Sequence, residues 1–272
     1  MEETKIKNIS NEEYSIAVLI DGDNAQAEMI ESILAEASKY GRISFRRIYG
    51  DWTEPQMNKW KLYLQKHAIL PIQQFRNTKG KNATDSSLII DAMDILHKEN
   101  VEAFCIVSSD SDFTRLATRL REARKFVLGI GERKTPEPFI KACSQFVYTE
   151  NLDLNKESKI QNSNLKKEKQ SLKEPNGSNK QELIETPDPL SIILKAYDLA
   201  VGDDGKVLLS SLGQVILKLD PSFDPRTYNK KRLLDLIEKY SNIFEINKNP
   251  SGAPIFITIK EEKSKVTDKI SC

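Results

Sequence analysis

The sequence predicts an α/β domain, with a parallel sheet between two layers of helices, followed by a small winged-helix domain of helices and a terminal hairpin. Short apolar runs alternate with helical periodicity over residues 13–150, which is the β–α repeat typical of parallel sheets. From residue 151 to 187 this periodicity fades, and polar residues typical of a disordered linker dominate. Periodicity returns over residues 188–260, and a polar tail follows over residues 261–272.

The composition limits the classes of protein to which the chain can belong. Its 272 residues are 39% hydrophobic and 30% charged, which suits one large or two ordinary globular domains. The net charge of +1 means that any nucleic-acid interface must be local. The three cysteines, Cys105, Cys143 and Cys272, form no Cys-x-x-Cys pair, which argues against structural zinc and a disulfide scaffold. No apolar run approaches the roughly 18 residues of a membrane helix, and the N-terminal residues are polar. We therefore expect a cytoplasmic protein that does not enter a membrane.

The elements of the first domain follow from the spacing of apolar residues. A continuous apolar run ends at Asp21, and the spacing of Ile33 and Ala37 is part of a stripe that predicts a helix from about Ala25 to Tyr40. Gly41 fits the position that follows a helix end. The remaining runs and stripes predict, in order, a strand over Arg42–Tyr49, a helix over Pro55–His67, a strand over Leu70–Phe75, a helix over Thr84–Glu99, a strand over Val101–Ser108, a helix over Asp112–Ala123, and strands over Lys125–Ile130 and Gln145–Tyr148.

Aspartates stand where these predicted strands and helices meet. Asp21 closes the first strand, and Gly22 after it allows a tight or positive-φ turn. Asp110 and Asp112 follow the strand that ends at Ser108, and Asp85 opens a helix. The carboxyl ends of parallel strands lie at one edge of a sheet, so these carboxylates can converge there. Converging carboxylates repel one another unless a cation is present, so we expect an oxygen-ligand site for Mg²⁺ or Mn²⁺.

Helix capping is the competing explanation for the same aspartates. Ser109 or Asp110 can serve as the N-cap of the helix that follows, and Thr84 with Asp85 can be a capped helix start. Three separate junctions with Asp are more than capping usually explains. Asp91 lies later on the helix of Asp85 and about 120° around it, so we do not expect both residues at one ion.

The order of these motifs is similar to that of the NYN domain, a PIN-like ribonuclease domain of the LabA-like group. The motifs are Ile-Asp-Gly-Asp-Asn at 20–24, Lys-x-x-x-Asp at 81–85 and Ser-Ser-Asp-Ser-Asp-Phe at 108–113. The resemblance implies a PIN-like α/β/α fold over residues 13–150 and a metal-dependent nuclease. It further implies the site residues, in which one or two Mg²⁺ or Mn²⁺ ions are gathered by Asp21, Asp85, Asp110 and Asp112 and supported by Asn24.

Basic residues near the acidic motifs are candidates for contacts with RNA phosphates. The loop before Asp85 offers Arg76, Lys79 and Lys81. Arg115 and Arg119 give the helix after the Ser-Asp-Ser-Asp motif a basic side. A solvated turn and a solvated helix face would look the same in the sequence, so both interpretations stay open.

The second domain, over residues 188–260, begins with a helix whose apolar face includes Ile193 and Tyr197. A short strand near Val207, helices over about Ser211–Leu219 and Tyr228–Tyr240, and strands at 244–246 and 255–259 complete a winged-helix pattern.

This segment resembles the LOTUS or OST-HTH domain through Pro-Ser-Phe-Asp-Pro at 221–225 and Tyr-x-Lys-Lys-Arg-Leu at 228–233. Family members often carry Gly where this chain has Asn229. The resemblance implies RNA binding, with a protein partner as the other known use of the domain. Lys230, Lys231 and Arg232, at the expected helix start, are candidates for phosphate contacts because their charge opposes the helix dipole.

Taken together, these predictions indicate a divalent-metal-dependent ribonuclease that uses water to hydrolyse single-stranded RNA and carries a C-terminal RNA-binding module. One alternative is a non-catalytic RNA-binding adaptor with the same fold. The other is a phosphatase of the haloacid dehalogenase type, which Asp21-x-Asp23 suggests. Ala25 argues against the phosphatase, because that family usually has Thr or a similar residue there. The sequence leaves the oligomeric state open.

Overall fold

The computed structural model describes residues 14–75, 83–152, 188–202, 204–247 and 254–260. The chain divides into two units, Met1–Lys169 and Gln170–Cys272. Most of the predicted linker and the whole predicted tail lie outside the described residues. Within the described ranges, no helix is both long and apolar enough to cross a membrane.

The first unit contains a six-stranded sheet in which every neighbouring pair of strands is parallel. The strand order is β3-β2-β1-β4-β5-β6, so the order reverses between β1 and β4. In chain order the elements are β1 (Ser15–Asp21), α1 (Ile30–Ala37), β2 (Arg42–Gly50), α2 (Lys61–His67), β3 (Leu70–Gln73), α3 (Ala83–Lys98), β4 (Ala103–Val107), α4 (Thr114–Glu122), β5 (Phe126–Gly131), α5 (Glu137–Ala142) and β6 (Gln145–Tyr148). The predicted α/β fold with a parallel sheet is confirmed.

Alternation along the central strands separates two apolar layers. In β1, Ile16, Val18 and Ile20 pack with α1 and with Trp60 on one face of the sheet. Ala17 and Leu19 point to the opposite face of the sheet, where they pack with α3, α4 and α5. Because β1 and β4 are buried on both faces, their sequences are continuous apolar runs rather than alternating ones.

Several element ends differ from the sequence predictions. The segment predicted as one helix over residues 25–40 is a 3₁₀ turn, Ala27–Met29, followed by the shorter α1. Gly41 therefore does not follow directly on a helix end. It has φ of +155°, and a Cβ there would lie 2.3 Å from the carbonyl oxygen of Tyr14, so close backbone approach explains the glycine. The predicted helix over Pro55–His67 likewise begins as a 3₁₀ helix, Pro55–Trp60, before α2.

One helix of the first unit was not predicted. α5 has six residues and lies between β5 and β6. Pro136 is its N-cap and Pro138 lies in its first turn, where proline needs no backbone donor. So short a segment shows little periodicity, which is why the sequence did not indicate it.

The second unit is a small separate domain of helices and an antiparallel sheet with strand order β7-β9-β8. Its core includes Tyr197, Ile216, Leu236 and Phe244. The elements are α6 (Leu190–Ala200), β7 (Val207–Leu208), α7 (Leu209–Leu219), α8 (Leu233–Glu238), β8 (Phe244–Asn247) and β9 (Phe256–Ile259). The predicted small α+β domain is confirmed.

The helix predicted over Tyr228–Tyr240 is wrong at its start. A 3₁₀ helix, Pro225–Tyr228, ends at Asn229, which is left-handed with φ of 57°. α8 begins only at Leu233, so the three cations at 230–232 precede the helix instead of forming its first turn. Asn tolerates the left-handed conformation better than most residues, which permits this break.

Candidate metal centre

The candidate site lies at the carboxyl edge of the sheet, where β1 and β4 run side by side. Asp21 ends β1, and Ser108 follows β4 directly. Ile20 of β1 is paired with Val107 of β4, so the two chain ends leave the sheet at the same level. This is also the point at which the strand order reverses, the position where open α/β sheets hold their ligands.

The Asp21 carboxylate is almost fully buried and held by neighbouring donors. Its Oδ2 accepts hydrogen bonds from Asn24 Nδ2 at 2.6 Å and from Ser108 Oγ at 2.8 Å. Its Oδ1 faces the backbone N–H groups of Asp23 and Asn24 at 3.1 and 3.3 Å. Burial raises the pKa of Asp21, and these four hydrogen bonds partly offset that rise by favouring the charged form. The orientation of this carboxylate is therefore fixed by the protein.

Ser108 links the two strands at this edge. While its hydroxyl donates to Asp21, its Oγ accepts from the backbone N–H of Asp110 at 3.1 Å. Asp110 in turn is the N-cap of the 3₁₀ turn Ser111–Phe113, and its Oδ1 accepts from the N–H of Asp112 at 2.9 Å. The capping interpretation of Asp110 is thus correct. It does not compete with ion binding, because a carboxylate offers a second oxygen and further lone pairs.

Asp85 at the start of α3 brings a third chain segment to this edge. Asp85, Asp110 and Asp112 can each offer one carboxylate oxygen so that these oxygens all lie within 4.8 Å of one another. Burial, followed by the negative charges of Asp21, Asp110 and Asp112, raises the pKa of Asp85 to about 6. Both causes disfavour the ionised form of Asp85, and a bound cation would favour it. Three hard oxygen donors around one point fit Mg²⁺ or Mn²⁺.

The comparison with protein families identifies both domains. The NYN domain model matches residues 15–153, which is more than half of the chain. The chain belongs to the NYN-domain family. A second model, the OST-HTH/LOTUS domain, matches residues 183–256. Both predicted resemblances are confirmed.

Two solved structures are similar to part of this NYN-domain protein. A protein of unknown function from Vibrio parahaemolyticus is 21% identical, with a TM-score of 0.44 over 51% of this chain and 94% of its own. An uncharacterized protein from Nitrosomonas europaea is 23% identical, with a TM-score of 0.26 over 35% of this chain and 100% of its own. The comparison with curated proteins gives no match.

Within the NYN domain, the predicted separation of Asp91 from the aspartate cluster agrees with the structure. Asp91 forms an ion pair with Arg47 and accepts a hydrogen bond from the Tyr49 hydroxyl. Both partners come from β2, and Asp91 is not among the three carboxylates that lie close together. Asp94 is exposed and pairs with Lys98 one turn later.

Gly22 of the NYN domain is needed for close packing and not for a positive-φ turn. Its N–H donates to the carbonyl oxygen of Tyr49 at 2.9 Å. A Cβ would lie 2.7 Å from that oxygen and 2.8 Å from Met57 Cε. The glycine therefore lets the chain after β1 cross closely over the end of β2 and set the position of Asp21.

The predicted RNA contacts of the NYN domain fall into two groups. Arg115 and Arg119 are exposed on α4, and among the described residues neither has a hydrogen-bond or ion-pair partner. By contrast, Arg121 donates to the carbonyl oxygens at the end of α5, which is a structural role. The other group, Arg76, Lys79 and Lys81, lies outside the described residues.

The cations at 230–232 of the OST-HTH domain are not equivalent. Arg232 is the N-cap residue of α8 and forms an ion pair with Asp235 at 2.9 Å. Lys231 is exposed and Lys230 is half-buried, and neither side chain forms a hydrogen bond or ion pair with another described residue. The carboxylate of Asp235 therefore neutralises one of the three positive charges at 230–232, and no ligand is needed to explain Arg232.

Ser108 is the site residue that the sequence interpretation did not single out. It was treated as the polar end of a strand, although the structure places its hydroxyl between Asp21 and Asp110. The position of Ser108 in the sequence could have indicated this role. A serine directly after a buried strand and two residues before Asp110 lies at the same edge of the sheet as the aspartates. Ser109 has a related role, since its Oγ accepts from the N–H of Glu132 after β5 at 2.9 Å.

Proposed function

We propose that this protein is a divalent-metal-dependent ribonuclease whose OST-HTH domain helps to hold single-stranded RNA. The observation that carries the proposal is the convergence of the Asp85, Asp110 and Asp112 carboxylates beside the buried Asp21, in a chain of the NYN-domain family. The OST-HTH match supports RNA as the ligand class and leaves a protein partner of that domain as a further possibility to test.

In this proposal Asp85, Asp110 and Asp112 hold one or two Mg²⁺ or Mn²⁺ ions together with Asp21. When bound, such an ion neutralises the charge that develops on the phosphate and makes water a better nucleophile at neutral pH. Asn24 and Ser108 fix the Asp21 carboxylate through hydrogen bonds of 2.6 and 2.8 Å. The protein thus contributes fixed carboxylate positions, which cost no reorganisation when the reaction occurs.

The charge distribution explains why a bound cation would favour an RNA phosphate at the cluster. The cluster and Asp23 beside it are uniformly acidic, so a phosphate placed at this point would be repelled in the metal-free protein, while the rest of the strand can still bind elsewhere on the protein. Arg115 and Arg119 lie on the helix that directly follows the 3₁₀ turn of Asp112. Both side chains are exposed, and in this proposal they contact phosphates of the RNA backbone near the cluster.

The test is incubation of the full-length protein and its Asp110→Asn variant with labelled single-stranded RNA, in Mn²⁺ and in EDTA. Asparagine keeps the shape and the capping ability of residue 110 but removes a negative ligand. We expect Mn²⁺-dependent cleavage by the native protein and a loss of at least about 100-fold in the variant. Glu99→Gln is the matched control, because Glu99 is exposed directly after α3 and its side chain has no hydrogen-bond or ion-pair partner among the described residues.

The alternatives have distinct outcomes in the same experiment. RNA binding with no cleavage at any metal concentration would identify an RNA-binding adaptor. Turnover of a small phosphomonoester in place of RNA would identify a phosphatase. Full ribonuclease activity in the Asp110→Asn variant would refute the metal site proposed here.

A further inference from the structure

An open groove of about 420 Å³ lies along α3 in the NYN domain, apart from the aspartate cluster. The sheet contributes Arg47 and Ile72 to its lining, and α3 contributes Ser87, Ile90 and Asp91. The groove exists because α3 packs over β1 and β2, and α2 covers the other face of the sheet. Among the described residues, no helix therefore covers the α3 side of the edge strand β3.

The groove combines apolar walls with a neutral polar pair. Ile90 is 64% exposed on α3, and Ile72 faces the groove from β3. Arg47 and Asp91 form an ion pair whose side chains are still 23% and 22% exposed. The buried Tyr49 hydroxyl donates to the same Asp91 carboxylate, and burial followed by this hydrogen bond raises the pKa of Tyr49, so the hydroxyl stays a donor. The groove therefore presents an exposed isoleucine next to a solvent-accessible ion pair.

The charges of the groove disfavour a phosphate as its occupant. The charge of Arg47 is cancelled by Asp91, and Asp94 at the rim adds no positive charge. A planar, neutral group with apolar faces and with both donors and acceptors on its edge fits better. Nucleobases have this chemistry, and proteins that read single-stranded RNA bind unstacked bases through their edges.

Guanine matches the polar pair in the groove. Its edge presents the O6 acceptor next to N–H donors at N1 and N2. Arg47 can donate to the acceptor, while the Asp91 carboxylate has lone pairs left to accept from the donors. Adenine presents an amino donor where guanine has O6, so its edge would place a donor against Arg47.

The groove and the aspartate cluster lie on two flanks of the same helix. Asp85 and Asp91 are about 120° apart around α3, and a helix with its side chains is about 10 Å across. A strand whose phosphate lies at the cluster can therefore place a neighbouring base in the groove by passing the first turn of α3. We propose that this groove is a base-binding subsite that takes a guanine of the RNA strand, an inference that rests on the proposed ribonuclease function.

The test compares three labelled RNA oligonucleotides that differ at one position, which holds guanine, inosine or adenine in a uridine background. Affinities for the full-length protein are measured by fluorescence anisotropy in EDTA, where cleavage does not occur. We expect guanine to be preferred over adenine by about 5-fold to 100-fold, with inosine between them because it lacks the N2 amino group. Equal affinities for all three would overturn the proposal.

Two variants locate the preference. Ile90→Gln removes an apolar wall without adding charge, and Asp91→Asn removes the carboxylate acceptor; both should bring the guanine-to-adenine ratio to about 1. The control is Leu62→Gln, since Leu62 is 71% exposed on α2, on the other face of the sheet, and should leave the ratio unchanged. The OST-HTH domain is the same in every sample, so a change in the guanine-to-adenine ratio between native protein and variant comes from the substituted residue. A guanine preference that survives Ile90→Gln would place the base elsewhere and refute the subsite.

The outcome separates this inference from the proposed catalysis. A protein that prefers guanine through Ile90 in EDTA but never cleaves RNA in Mn²⁺ would retain the subsite and lose the ribonuclease activity. A protein that cleaves RNA with no base preference would show the reverse.

Discussion

The Asp85→Asn variant should be more stable than the native protein in the absence of metal. It should be less stable than the native protein when Mn²⁺ is present. The pKa of Asp85 rises from its ordinary value of 3.8 to about 6 because the carboxyl is partly buried and faces other aspartates. Well below the ordinary pKa of 3.8 the group is protonated in both folded and unfolded chains. Between that pKa and about 6, the unfolded chain ionises while the folded protein keeps the proton, so the free energy of unfolding falls as the pH rises and levels off above about 6.

The expected gain in stability follows from that shift. The difference between the folded and unfolded pKa of Asp85 corresponds to about 3 kcal/mol of lost stability at pH 8, before screening by solvent is taken into account. The carboxylate is partly open to solvent, so we take roughly half of that value. Asparagine also loses the favourable interaction of a negative charge with the start of α3, which is worth about 0.5 kcal/mol. The variant should therefore be more stable by about 1 kcal/mol, or by about 2–5 °C in Tm.

The assay is thermal unfolding of native protein and variant in EDTA at pH 8 and about pH 3, and in Mn²⁺ at pH 8. The advantage of Asp85→Asn should vanish at about pH 3, where the native side chain is neutral in both the folded and the unfolded chain. At a Mn²⁺ concentration 100 times its Kd, the native protein gains about 2.7 kcal/mol, and the variant, which lacks one ligand, gains less. The order of the two Tm values should therefore invert on adding metal.

Asp94→Asn is the control for charge on α3 outside the cluster, and it should show no gain in EDTA and no inversion. If Asp85→Asn is no more stable than the native protein in EDTA at pH 8, the reasoning from carboxylate repulsion is wrong. If it is more stable but Mn²⁺ stabilises both proteins equally, Asp85 is not a ligand.

Two further predictions test the support of the site and the second domain. Ser108→Ala removes a hydrogen-bond donor that favours the ionised form of the buried Asp21. The rate of RNA cleavage should therefore fall by about 10-fold to 100-fold, and it should recover in part at higher Mn²⁺ and higher pH. A loss that neither condition relieves would contradict this role of Ser108. Lys230→Ala combined with Lys231→Ala should weaken RNA binding, as measured by affinity across a salt series. The slope of log affinity against log salt concentration should become less steep by about 0.7 per lysine. Arg232→Ala should act mainly on stability, because Arg232 is paired with Asp235. An unchanged affinity and slope in the lysine variant would mean that this surface binds no phosphate.

Much of the fold was predictable because it depends on local patterns. The continuous apolar runs of β1 and β4 indicated strands buried on both faces, and the structure places both in the centre of the sheet. The aspartates after these strands were predictable as one edge for the same reason, since parallel strands all present their carboxyl ends together. Short or mixed segments were not predictable: α5 has six residues, and Asn229 ends a turn that periodicity extended into a helix.

The sequence by itself determined the chemistry that is available: which residues carry carboxylates, which strands they follow, and which two families the motifs resemble. Only the tertiary structure decided how those groups are used. Asp21 became a buried carboxylate held by Ser108 because β1 and β4 are neighbours, although 87 residues separate the two in the chain. Asp91 pairs with Arg47 because α3 packs on β2. Such contacts depend on the order of the strands and on helix packing. Residues that are distant in the sequence determine both together, so no local sequence pattern contains this information.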